Sequence, residues 1–77
     1  MRRKHTSEDI TFLKKFGERL RELREHTGLT QAELETDSKM SKNQIGRIER
    51  GEISTSITNL NLIAKALGAK VKDFFDF

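Results

Sequence analysis

Residues 30–51 read TQAELETDSKMSKNQIGRIERG, and the spacing of caps and apolar residues within them decides the fold. Thr30 is a good helix N-cap. Glu33, three residues on, completes a capping box in which each side chain accepts from the other residue's backbone amide. Ala32 and Leu34 are the apolar residues of the short helix that follows, and TDSK then dilutes the pattern. Ser41 reads as the next N-cap, and Gly51 as the end of the helix it opens. That helix turns Ile45 and Ile48 inward, with Met40 entering the core from the turn before it. Two short helices joined by so brief a turn make a helix-turn-helix.

The outer edge of the second of these helices asks for an explanation of its own. Lys42, Asn43, Gln44, Gly46, Arg47 and Arg50 fall on its exposed side and flanks. A merely solvated face more usually carries Glu and Lys four apart; this one is neutral amides and cations until Glu49. Asn and Gln can bond the edge of adenine bidentately, and Arg and Lys the edge of guanine. The N-terminal half of such a helix is the part that enters the major groove. Gly46, lacking a side chain, lets its flank lie close to a neighbouring surface.

Outward from this segment the chain is helical throughout. It has no proline and no strand-type alternation; apolar residues recur at three and four. Ile10, Leu13, Phe16, Leu20 and Leu23 form one stripe of a long first helix, capped by Ser7 or Thr6 and ended by Gly28. Glu8 and Asp9 suit the positive end of its dipole. A fourth helix from about Ile57 to Leu67 opens at Ser56, closes at Gly68, and buries Leu60, Ile63, Ala64 and Leu67. A short fifth helix carries Val71, Phe74 and Phe75. Residues 1–6 form a flexible basic arm (Arg2, Arg3, Lys4), which serves either to follow DNA phosphates or only to keep the terminus soluble. Residues 7–77 form one domain.

Bulk properties narrow the function. Seventy-seven residues hold one modest core, which a partner subunit would help to stabilise. With no cysteine, neither a disulfide frame nor a thiolate metal site is available. His5 and His26 stand apart from any ligand cluster, so no metal and no cofactor is expected. Ser and Thr serve as caps and loop residues, and nothing resembles a nucleophile elbow or phosphate-binding glycine loop; no enzyme is expected. No apolar run reaches membrane-spanning length and no signal-peptide core follows the basic start, which implies a cytoplasmic protein. The net charge of +3 suits a polyanionic partner without demanding one.

At this point the residues resemble a family. FGERLRELRE, GLTQAEL, SKNQIGRIERG and LNLIAKALG stand in the order and at the spacings of the Cro/CI-type (XRE-like) helix-turn-helix regulators, across about four fifths of the chain. Its length is similar to the small stand-alone members, such as phage repressors and restriction-modification controller proteins. The resemblance implies an all-α, compact, five-helix lambda-repressor-like domain that binds double-stranded DNA as a homodimer at a palindromic operator and regulates transcription in a bacterium or phage. It implies base contacts from Lys42, Asn43 and Arg47, and backbone contacts from Thr30, Gln31, Gln44, Arg50, Ser56 and Asn59. It also implies a largely buried salt bridge between Arg24 and Glu49. A C-terminal dimerisation helix would use Val71, Phe74, Phe75 and Phe77; three phenylalanines in four residues cannot all face inward on one short helix.

The chain departs from the family at three places. Glu35 stands where a small residue is usual, so either the two motif helices part slightly or the carboxylate reaches outward, where Lys39 can pair with it. Lys39 itself replaces a common turn glycine, and Thr55 replaces the usual proline before the fourth helix. The alternative function is an antitoxin or adaptor whose main partner is a protein. Salt dependence separates the two, because each neutralised phosphate releases a counterion.

Overall fold

The computed structural model describes residues 5–77, so Arg2, Arg3 and Lys4, expected to form the arm, lie outside the described residues. Among the described residues four α-helices are followed by a 3-10 helix: α1 (Ser7–Thr27), α2 (Gln31–Ser38), α3 (Gln44–Glu49), α4 (Ile57–Leu67) and the C-terminal 3-10 helix (Val71–Phe75). No strand occurs among the described residues.

Short side chains set most helix starts. Thr6 rather than Ser7 caps α1: its hydroxyl accepts from the Asp9 amide at 3.1 Å, and the Asp9 carboxylate accepts from the Thr6 amide at 2.9 Å. Thr30 and Glu33 close the same reciprocal box on α2, at 3.0 and 2.8 Å. The Ser56 hydroxyl accepts from the Asn59 amide at 3.0 Å to open α4. Gly28 and Gly68 end α1 and α4 in the left-handed conformation.

The third helix departs from expectation. It begins at Gln44, not after Ser41, and residue Asn43 precedes it in the left-handed region with φ 69° and no side-chain cap. Ser41 caps nothing; its amide donates to Gln44 Oε1 at 3.3 Å. Residues 39–43 are therefore all turn. Lys39 closes α2 with φ 59°, and the Met40 amide donates back to the Glu35 carbonyl at 2.9 Å, which is a Schellman closure built on lysine where glycine is the easier residue.

The core gathers Phe16 and Leu20 from α1, Leu34 from α2, Ile45 and Ile48 from α3, Leu60, Ile63, Ala64 and Leu67 from α4, and Phe74. Removing each large side chain from water contributes about 1.5–3 kcal/mol. Ile10, expected inside, is 42% exposed: the helical stripe runs on past the point where other elements cover α1. The 3-10 helix is held by Arg19, whose Nε donates to the Asp73 carbonyl at 2.8 Å.

α1 packs chiefly on α3 and α2 chiefly on α4. The first contact depends on Gly17. A Cβ there would collide with the carbonyl oxygens of Ile48 and Glu49, so α1 and the end of α3 touch backbone to backbone. Thr55, in the proline position, has a buried hydroxyl without a hydrogen-bond partner.

Candidate nucleic-acid interface

Ile45, Gly46, Ile48 and Glu49 are buried and fix α3 against the rest of the fold, which leaves Arg47 as its exposed residue. Lys42 and Asn43 are exposed as well, from the turn rather than from the helix. The left-handed backbone of Asn43 is tolerated by asparagine more readily than by most residues, and it turns the chain abruptly into α3.

Beneath this surface lies a network joining three helices. Arg24 donates from Nε to Glu49 Oε2 at 2.6 Å, from Nη2 to Glu49 Oε1 at 3.1 Å, and from Nη1 to the Leu29 carbonyl at 2.8 Å. Both side chains are buried. The hydrogen bonds to Glu49, the largest influence, push the Arg24 guanidinium further above its ordinary range. Gln31 joins from the first position of α2, its amide donating to Glu49 Oε1 at 2.9 Å. Glu49 therefore sits at the C-terminal end of α3, where its charge opposes the helix dipole, and three donated hydrogen bonds compensate it.

Gly46, expected on the exposed side, is buried. A Cβ there would stand 3.1 Å from both Gln31 Oε1 and Arg50 Nη1. The surface that its missing side chain admits is thus the chain's own: the Gln31 and Arg50 side chains lie across it.

Thr30 and Gln31 are exposed at the start of α2, with the Thr30 hydroxyl occupied by its cap. Gln44 is half-buried, its carbonyl accepting from the Ser41 amide. Arg50 is exposed and paired with Glu52. Ser56 is exposed and Asn59 half-buried, and the Asn59 amide is already donated to Ser56, so that amide is not free for another acceptor. At the C-terminus Val71 is half-buried, while Phe75 and Phe77 are exposed. Phe74 is wholly buried, so its ring belongs to the core and presents nothing to a partner.

The sequence reading missed two contributors. Glu35 neither reaches outward nor pairs with Lys39: it is buried, and its Oε2 accepts from the Ile45 amide at 3.3 Å. It supplies from α2 the cap that Asn43 does not. The signal was its very misfit, a carboxylate at a helix–helix contact with the N-terminus of α3 as the nearest unsatisfied donor. Phe12, 49% exposed, stacks with Phe75 at 6.4 Å and meets Phe77 at 5.6 Å, and nothing in the helical stripe pointed to it. Among the described residues no group of three or more His, Cys, Asp or Glu could hold a metal ion.

The model of the family described as a helix-turn-helix domain matches residues 15–73. The chain belongs to that family. Within it, the chain is 35% identical over 63 residues to the control protein C.BamHI of Bacillus amyloliquefaciens, covering 80% of this chain and 78% of that one. It is similar to the restriction-modification controller protein C.AhdI of Aeromonas hydrophila, with 40% identity, TM-score 0.80, and 82% and 96% of the two chains covered. A Vibrio cholerae transcriptional regulator of a helix-turn-helix family gives 36% identity and TM-score 0.80, covering 87% of this chain and 38% of that one. The all-α fold is that of the Cro/CI-type helix-turn-helix regulators, and the chain is an XRE-like DNA-binding regulator. No described helix is long and apolar enough to cross a membrane.

Proposed function

We propose that the protein binds duplex DNA sequence-specifically as a homodimer on a palindromic operator and thereby controls transcription, as a small controller in the cytoplasm of a bacterium or a phage host. One observation carries the reading. α3 is anchored by Ile45 and Ile48, and Arg47 from the helix together with Lys42 and Asn43 from the turn before it is exposed to solvent. These are the side chains that read base edges in a major groove. Similarity to control and controller proteins supports the regulatory role.

In this reading Lys42, Asn43 and Arg47 contact bases, while Thr30, Gln31, Gln44, Arg50, Ser56 and Asn59 meet the sugar-phosphate backbone. The subunits pair through Phe75 and Phe77, with Phe12 beside them and Val71 at the edge. Between Phe12, Phe75 and Ile57 lies a largely apolar hollow of about 170 Å³, and Ile57 is 81% exposed. An apolar surface of this kind suits contact with another protein subunit. A two-fold dimer would hold its two α3 helices about 34 Å apart, one helical turn of DNA.

Selection of bound duplexes from a random pool, repeated over a salt series, tests the whole proposal. An enriched inverted repeat with affinity falling steeply as salt rises is the expected result. Failure to enrich any sequence, or binding indifferent to salt, would sink it.

A further inference from the structure

We propose that Glu52 is an internal competitor of DNA phosphate for Arg50, and so sets how tightly the protein holds DNA. The inference rests on the DNA-binding role proposed above. Arg50 donates from Nε to Glu52 Oε2 at 2.7 Å and from Nη2 to Glu52 Oε1 at 3.4 Å. This fork is the arrangement in which a guanidinium also takes phosphate. The two side chains are 57% and 49% exposed, so a phosphate has access to the same donors.

The surroundings hold the competitor in place. The Glu52 amide donates to the Arg47 carbonyl at 2.9 Å. The preceding residue, Gly51, adopts φ 74° against the backbone of Lys14, where a Cβ has no room. The turn that carries Glu52 is thereby pinned to α1. The neighbouring carboxylate, Glu49, is committed to Arg24 and Gln31. Arg47 adds a weaker attraction on Glu52. The bond from Arg50 holds the Glu52 carboxyl below its usual range, and the same bond raises Arg50.

A phosphate that takes the Nε–Nη2 edge of Arg50 must displace Glu52 from it, and one that binds the remaining donors meets the carboxylate's negative charge beside it. Exposed ion pairs are weak, so the carboxylate attenuates DNA binding rather than blocking it. Its effect is indifferent to sequence, because a phosphate carries no base information.

The test is a double-mutant cycle of the wild type, Glu52→Gln, Arg50→Gln and the double variant. Binding is measured on a random duplex and on a selected duplex across a salt series, with thermal melts to check folding. Glu52→Gln should bind both duplexes about three- to tenfold tighter, with a salt slope steeper by about one. In the Arg50→Gln background the same substitution should gain little. An equal gain in both backgrounds would show that only net charge had changed, and no gain at all would show that Glu52 does not compete; either overturns the inference. If the wild type itself bound neither duplex, the DNA-binding role would fall first and this inference with it.

Discussion

Glu35 on α2 caps α3: its Oε2 accepts the amide hydrogen of Ile45 at 3.3 Å while the side chain lies buried between the two helices. The carboxylate holds the start of the helix that Asn43 leaves uncapped. Glu35→Gln keeps an acceptor oxygen in place and removes the cost of burying a charge, so stability should be equal or slightly higher. Glu35→Ala leaves the Ile45 amide without its partner and should cost about 1 kcal/mol, or about 4–8 °C in melting temperature for a domain of this size. Denaturant melts of both variants decide it. An alanine variant more stable than the glutamine one would show that Glu35 is an intrusion and not a cap.

Lys39 tests the adjoining turn. Its φ of 59° places a long side chain in a conformation that costs an ordinary residue about 1–2 kcal/mol. Glycine avoids that cost but loses more freedom on folding. Lys39→Gly should therefore stabilise the domain by a net of about 0.5–1 kcal/mol, provided the Schellman closure is kept. A destabilised glycine variant would mean that the lysine stem contributes packing that outweighs the strain.

Much of this architecture is legible in the sequence, and the illegible parts share a physical origin. Thr30, Glu33, Ser56, Gly28 and Gly68 act through bonds within one turn of helix, so local spacing reveals them. Ser41 offers the same local signal and misleads, because the true start of α3 is set by a left-handed Asn43 and by Glu35 from another helix. Gly17 carries no local signal either; its role exists only where the α3 carbonyls meet α1. At the interface, residue types indicate which side chains suit DNA. Which of them are already occupied, as Arg50 is by Glu52, depends on distances that spacing does not encode.

Acid should loosen the start of α2. The Thr30 amide, and then its side chain, hold the Glu33 carboxyl below its ordinary value of 4.5. A carboxyl with a depressed folded value contributes stability that is present above the unfolded value and lost as pH falls through the folded one. The capping box should therefore weaken below pH 4.5 and not above it. Glu33→Gln, which can still close the box, should flatten this part of the acid limb in stability–pH curves while changing little at neutral pH. An acid limb unchanged by the substitution would assign the loss to other carboxylates.

Base and backbone contacts should separate by their dependence on sequence. Arg47 is exposed and only weakly attracts Glu52, itself held by Arg50, so Arg47→Ala should leave the fold intact. It should relax preference at one position per half-site by about 1–3 kcal/mol. Gln31→Ala should weaken all duplexes about equally. It also removes one of the three hydrogen bonds on Glu49, so a modest loss of stability should accompany it. Equal effects of the two substitutions on selected and random DNA would refute the division of labour.

The C-terminal aromatic residues should divide by burial. Phe74 is wholly inside, its ring 6.1 Å from that of Phe16, and Phe74→Ala should cost about 3–5 kcal/mol, enough to unfold much of a small domain. Phe75 and Phe77 remain 45% and 53% exposed in the single chain. Phe77→Ser, alone and with Phe75→Ser, should lower melting temperature far less but shift sedimentation from dimer to monomer. If the proposed dimer is the DNA-binding form, DNA affinity should then depend more steeply on protein concentration, since two separated subunits would have to assemble on the DNA. Phe75 also touches Phe16 at 5.3 Å, so the single Phe77 substitution is the cleaner measurement. A dimer that survived both substitutions would move the subunit contact to another face.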